Sequence, residues 1–164
     1  MKKTFLAISS LLFSFSLISS ANAVSTTGNV NATVVAPVTI SETTAMSFGS
    51  FGPSVTLAGT IDTSGNTTND VSKLTNGQNA VFAVTGEGNN NITFTLPADG
   101  AVTVTGPGTP MTVHLGTTTS YLGGSSVHAL SSGSANVTVY GRLDVGANQT
   151  AGSYTGTYTA SANY

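Results

Sequence analysis

The chain has no cysteine and no tryptophan. Without thiols it can hold neither a disulfide nor a thiolate zinc site, so stability has to come from apolar packing and strand pairing. Charge is scarce as well: Asp, Glu, Lys and Arg make up 6% of the residues. Beyond Lys2 and Lys3, only Lys73 and Arg142 stand against Glu42, Asp62, Asp70, Glu87, Asp99 and Asp144. Nucleic acid binding needs clustered cations to displace counterions, and an anionic membrane surface needs them too. Both partners are excluded on that ground. Helical periodicity is missing after residue 23, and no later apolar run approaches the ~20 residues of a membrane span. What remains is a surface of Ser, Thr, Asn and Gly. It suits β-strands whose wet faces carry hydroxyls, and it leaves little charge repulsion between copies.

The first residues depart from this pattern. Met1-Lys-Lys-Thr leads into an apolar stretch from Phe5 to Ile18 and then Ala21-Asn22-Ala23. Two cations, a short apolar run and an Ala-x-Ala end predict a secretory signal peptide over residues 1–23, cut after Ala23. Ser9, Ser10, Ser14 and Ser16 interrupt the run and disfavour a membrane anchor. The mature chain is expected to begin at Val24 and to be exported.

From Val24 on, the period is two. The arm of residues 24–34 alternates loosely, with Val24, Val30, Ala32 and Val34 at even positions. Pro37 lacks a donor, so the strand it leads should lie at an edge or contain a bulge. Strands are predicted around Ala45–Phe51, Val55–Ile61 and Val81–Val84, the last apolar on both faces and therefore central. Ile92, Phe94 and Leu96 should point inward, as should Val102 and Val104, then Met111, Val113 and Leu115. Val137, Val139, Leu143 and Val145 share one face of a long strand with an expected kink at Gly141. The residues from Gly116 to Gly133 show less pattern, with a bend at Gly123-Gly124. The last stretch, Gly152 to Tyr164, alternates without exception: Tyr154, Gly156, Tyr158, Ala160, Ala162 and Tyr164 fall on one face, with Ser, Thr and Asn on the other. A strand with one buried and one wet face requires that pattern. Nine or ten short strands at this spacing make an all-β, immunoglobulin-like sandwich over residues 35–164.

Chemistry is hard to find. His114 lies opposite the inward face of its strand and reads as a surface imidazole, while His128 reads as structural. Neither has a carboxylate at metal-ligand spacing, so no metal is expected. Arg142 and Asp144 read as an exposed pair of small energetic weight. No nucleophile elbow and no phosphate loop appears, so neither a catalytic residue nor a cofactor site is expected.

The run from Val145 to Tyr164 resembles the C-terminal signature of a Gram-negative family of unknown function, whose Gly-x-Tyr-x-Gly strand is matched by Gly152, Tyr154 and Gly156 and whose terminal aromatic is matched by Tyr164. That family is similar in turn to spore coat protein U and the archaic chaperone–usher pilins. Asn31-Ala-Thr-Val-Val-Ala-Pro-Val-Thr-Ile40 and Met46-Ser-Phe-Gly-Ser-Phe51 carry the same likeness. The resemblance implies an incomplete sandwich filled first by a periplasmic chaperone and then by the arm of the next subunit, with an outer-membrane usher as a further partner. Residues 24–34 would be the donor arm, and the strand 152–164 would border the groove, Tyr154, Gly156, Tyr158 and Tyr164 included. The expected function is a structural subunit of a surface fibre, not an enzyme, serving adhesion or biofilm. The alternative is a self-contained binding module, for ligands such as glycans, using the polar loops 62–79 and 116–133. A secreted hydrolase is a distant third.

Overall fold

The computed structural model describes residues 23–164. The predicted signal peptide therefore lies outside the described residues, Ala23 excepted. Residues 34–164 form one compact unit, and the chain up to Thr33 is a separate one. In the latter, residues 23–33 carry no secondary structure and are all exposed, Val24 to 95% and Val30 to 94%. Alternation gives such a segment two faces, but a ladder partner is needed to make it a strand.

The body contains eleven strands and no helix among the described residues. In chain order they are β1 (Thr39–Thr44), β2 (Phe51–Gly52), β3 (Gly59–Asp62), β4 (Ser72–Lys73), β5 (Ala80–Thr85), β6 (Asn91–Ala98), β7 (Val102–Val104), β8 (Met111–Gly116), β9 (Gly123–Ala129), β10 (Ser134–Val145) and β11 (Ser161–Asn163). The larger sheet runs β1-β5-β10-β8-β7, with β3 also on β10; the smaller runs β11-β6-β9, and β2 pairs with β4. Every pairing is antiparallel. The sheets curl into a half-barrel, an all-β arrangement consistent with a sandwich.

Alternation fills the core as expected. Phe94 and Val84 have no exposed surface, and Ile92, Leu96, Val113, Leu115, Val139 and Leu143 are buried with them. Phe82 and Phe94 meet at 5.6 Å between ring centroids, tilted by 57°, a geometry that favours ring edge against ring face. β5 is central, between β1 and β10, and β1 is an edge strand whose register shifts between Glu42 and Thr44. The edge and the irregularity are what Pro37 implied.

Four expectations need correction. The strand read from Val55 to Ile61 starts only at Gly59. Ser54 Oγ accepts the amides of Thr56 and Leu57 and turns the chain, so that Val55 and Leu57 face solvent. β9 is a strand inside the stretch that looked unpatterned: its exposed side chains are Ser125, Val127 and Ala129, so no polar–apolar alternation marks it, and its two glycines sit at the start, both at positive φ. Gly141 does not break β10. It marks where one edge of β10 passes from β5 (Ser134–Val139) to β3 (Arg142–Val145). A Cβ there would meet Met46 Sδ at 2.6 Å and Phe48 Cζ at 3.0 Å, so any larger residue would have to push those two side chains aside. Finally, the terminal strand is paired only over Ser161–Asn163, against β6. Upstream of it, Thr155 exchanges hydrogen bonds with Thr105, and residues 156–159 form no backbone–backbone hydrogen bond among the described residues. The alternation survives without a ladder: Tyr154, Tyr158, Ala160 and Ala162 are half-buried, and the Ser, Thr and Asn between them are exposed.

Candidate functional site

The reason those backbone groups are unpaired is a groove running beside them. One wall is the stretch from Glu42 through Met46 and Phe48 to Pro53; the other is Gln149 to Tyr158. Two connected hollows, of about 490 and 380 Å³, share Phe48, Val104, Tyr154 and Thr155. The floor is core: Phe82, Val102, Val113, Met111 and Leu143 all line it, with Val104 half-buried. The apolar floor with unpaired backbone along one wall is a surface to which an extended segment could add.

The residues singled out from sequence divide into three groups. Tyr154 and Tyr158 lie in the groove wall. The Tyr154 hydroxyl donates to the Thr150 carbonyl at 2.8 Å and accepts from Gln149 Nε2 at 2.9 Å, which folds the 149–154 loop back on itself. The Tyr158 ring stands edge-on to Phe82, 6.2 Å away, and its hydroxyl is buried without a partner among the described residues. Burial, and then the Glu42 carboxylate nearby, raise its pKa well above the ordinary phenol value. Gly156 also lines the groove, but its missing side chain makes room for the Thr103 carbonyl behind it and not for an incoming residue. Tyr164 is not in the groove. Its hydroxyl donates to the Ala36 carbonyl at 2.7 Å and accepts the Glu87 amide. Val24, Val30 and Ala32 belong to the separate exposed stretch, and Val34, which opens the body, is exposed too.

Sequence reasoning missed the opposite wall. The segment from Ala45 to Phe51 reads as a strand, yet before β2 begins at Phe51 it makes only one isolated bridge, from Ser47 to Gln78, and nothing in its spacing says that Met46 and Phe48 line a groove.

It also misread His114. This imidazole is not on open surface; its side chain is 14% exposed. Nδ1 lies 2.6 Å from Asp99 Oδ1 and Nε2 lies 2.9 Å from Asp144 Oδ2. Two carboxylates on opposite ring nitrogens are both satisfied only when both nitrogens carry protons, as in the imidazolium. Burial works against that charge, but the hydrogen bonds from Asp99 and Asp144 outweigh it and the pKa is raised. Asp144 is also 3.6 Å from Arg142 Nε, and the guanidinium lies 5.7 Å above the Tyr121 ring. The Tyr121 hydroxyl donates to Asp62. The chain thus links the β6–β7 turn, β8, β10 and β3 across the outer face of the sheet. The carboxylates lie on opposite sides of the ring and do not converge, and no cluster that could hold a metal ion occurs among the described residues.

A pH dependence follows. His114 has a higher pKa folded than unfolded, so its stabilisation is complete below the unfolded value of about 6.5 and is lost as pH rises through the folded value. The wild-type melting temperature should fall as pH is raised from 6 to 9, and His114→Gln should flatten that slope. His128, edge-on to Phe94 at 6.1 Å, has its pKa lowered by burial. It therefore opposes stability only when the pH falls below about 6.5. A thermal melt series of both proteins checks this, and an unchanged slope in His114→Gln would reject the imidazolium assignment.

No curated protein and no solved structure matches this chain. A family model, the domain of unknown function DUF4402, matches residues 38–164. That span begins just after Pro37 and takes in all eleven strands, both walls of the groove and the His114 chain. By that match the chain belongs to the DUF4402 family.

Proposed function

We propose that this protein is the exported, non-enzymatic subunit of a surface fibre, in which residues 24–34 of one copy complete the sheet of the next. The observation that carries the reading is the groove: apolar floor, two walls and a run of unpaired backbone at 156–159. An extended arm of eleven residues reaches about 36 Å, enough to run the length of such a channel. Strand addition supplies main-chain hydrogen bonds and lets alternate side chains enter the floor. Val24, Val30, Ala32 and Val34 are the side chains that would enter. Head-to-tail addition that does not close generates a filament. A periplasmic chaperone and an outer-membrane usher are the partners such assembly calls for, since an open groove exposes core in transit. Adhesion or biofilm formation is the role that fits a surface fibre.

The binding-module alternative rests on the loops 62–79 and 116–133. They do meet, at Asp62 and Tyr121. Their polar groups are used on one another, however. Asp62 accepts from the amides of Ser64 and Asn66, the Asn66 side chain and the Tyr121 hydroxyl. These bonds outweigh the opposing effect of burial and lower its pKa. Asp62 is therefore committed to the structure of the loops themselves.

The test is reconstitution. A chain starting at Val35 should be unable to assemble and less stable than the assembled protein, and a synthetic peptide of residues 24–34 should bind it. At one hundred times its Kd the peptide should add about 2.7 kcal/mol, a rise in melting temperature of about 5–10 °C. A peptide with Val30 and Ala32 replaced by Asp should do nothing. If neither peptide binds, the groove is not an acceptor for this arm.

A further inference from the structure

Any chain that carries both a groove and a segment able to fill it faces a competition. A segment tethered by a short link reaches its own groove at an effective concentration in the millimolar range. At ~10 µM protein, the arm of another copy is at a disadvantage of about a hundredfold unless geometry forbids self-insertion. The body contains such a geometric restraint at the root of the arm.

Ala36 is held on both sides. Its carbonyl accepts from the Tyr164 hydroxyl at 2.7 Å, and its amide donates to Glu87 Oε2 at 3.1 Å. The ring closes because the Glu87 amide donates to the same Tyr164 hydroxyl, whose one proton and one acceptor position are then both used. Gly86 makes the fit possible: a Cβ there would lie 2.6 Å from the Tyr164 hydroxyl and 3.0 Å from Leu130 Cδ1. From this latch β1 carries the chain along the groove wall, past Glu42 to Met46 and Phe48. To fill its own groove, the arm would have to reverse at the latch and run back beside β1. Ala36 precedes Pro37 and is biased to extended backbone. Between Ala32 and Val38 there is no Gly, Asn or Asp to form a tight reversal. The nearest such residues are Asn31, Asn29 and Gly28, and a turn placed there leaves at most the six or seven residues from Val24 to enter the groove.

We infer that the Tyr164–Ala36–Glu87 ring, together with the turn-poor stretch 32–38, is the device that directs the arm to a second copy and away from its own groove. The inference rests on the strand-exchange reading above, and it makes Tyr164 a positioning residue.

The experiment uses the mature chain from Val24, refolded from denaturant over a range of concentrations. Size-exclusion chromatography with light scattering gives the monomer share, and limited proteolysis reports whether the arm is protected. Two variants are compared with wild type: Tyr164→Phe, which keeps the ring and removes both hydrogen bonds, and the pair Val34→Asn with Val35→Gly. The pair places a hairpin turn at two exposed positions outside the latch. Wild type should form larger species whose share grows with concentration, and its residual monomer should have a cleavable arm. Each variant should shift to monomer, several-fold at the lowest concentration, with the arm protected. If wild type assembles and both variants keep its monomer share and cleavable arm, the latch is rejected and strand exchange stands. If Tyr164→Phe does not fold, the Asn-Gly pair decides through its arm: because Val34 is itself a donor side chain, a larger monomer share counts for the latch only when the arm is protected, and a cleavable arm rejects it. A wild-type monomer with a protected arm overturns the inference directly. A wild type that stays monomeric with a cleavable arm at every concentration removes strand exchange, and the inference with it.

Discussion

Protein carrying Val30→Asp should remain unassembled while keeping the melting temperature of the unassembled wild type to within about 2 °C. The two halves of this expectation come from different environments of one side chain. In its own chain Val30 is 94% exposed, and substitutions at such positions usually change stability by less than about 0.5 kcal/mol. Seated in a neighbour's groove, the same position would face a floor built from residues such as Phe82, Val102 and Val104. A carboxylate there loses its hydration and finds no cation among the groove's lining residues, a cost of several kcal/mol. Four kcal/mol is nearly a thousandfold in affinity, enough to abolish a fibre at micromolar concentration. Asn31→Asp, one position along, should be tolerated because it points away from the floor. Size-exclusion chromatography and electron microscopy of the three proteins provide the measurement. Equal assembly by all three would end the strand-exchange reading. A fall of several degrees in the unassembled Val30→Asp protein would place the arm in its own sandwich.

The second large effect is expected at Gly156, and it falls on stability. The family resemblance placed Gly156 beside the groove, where a missing side chain suggests space for an incoming one. The structure puts a neighbour's backbone in that space. A Cβ on residue 156 would overlap the Thr103 carbonyl oxygen and approach the Thr103 carbonyl carbon and Val104 Cγ1, both at 3.2 Å. Backbone atoms in a paired strand yield less readily than the end of a side chain. Overpacking of this kind costs about 1–3 kcal/mol, and about 3–10 °C in a domain of this size. Gly156→Ala should therefore melt earlier even without assembly, and it should loosen the reciprocal Thr105–Thr155 hydrogen bonds that tie the final segment to β7. Calorimetry of the unassembled subunit checks it. An unchanged melting temperature with lost assembly would restore the reading of Gly156 as a socket.

These two residues also mark how far the sequence could be read. Period-two alternation placed Ile92, Phe94, Leu96, Met111, Val113, Leu115 and the apolar residues of β10 correctly inside, because that pattern is a property of each strand alone. Where position depends on what lies across a gap, the pattern is silent. The alternation of 152–164 is real, but pairing needs a partner, and most of that segment has none. His114 looked like a surface residue because its two carboxylates come from Asp99 and Asp144, 15 and 30 residues away. Tyr164 looked like one more groove aromatic, yet its ring packs at the far end of β1, in a space that Gly86 leaves open. A spacing rule reports neither of these long-range meetings, and the opposite groove wall at Met46 and Phe48 is hidden for the same reason.

β10 has a consequence for the order in which the molecule can form. It pairs with β5 through residues 134–139, with β8 through 140–143 and with β3 through 142–145. Those three strands come earlier in the chain, and in the larger sheet β5 and β8 have no direct pairing with each other. A chain emerging from its N-terminus therefore releases everything up to Ser134 before the centre of that sheet can begin to form. Folding dominated by such distant pairings is slow, and apolar strands waiting for a partner are prone to pair with the wrong one. The sheet closes in a late step set by residues 134–145, and until then the exposed edges of β5 and β8 are open to any neighbouring strand.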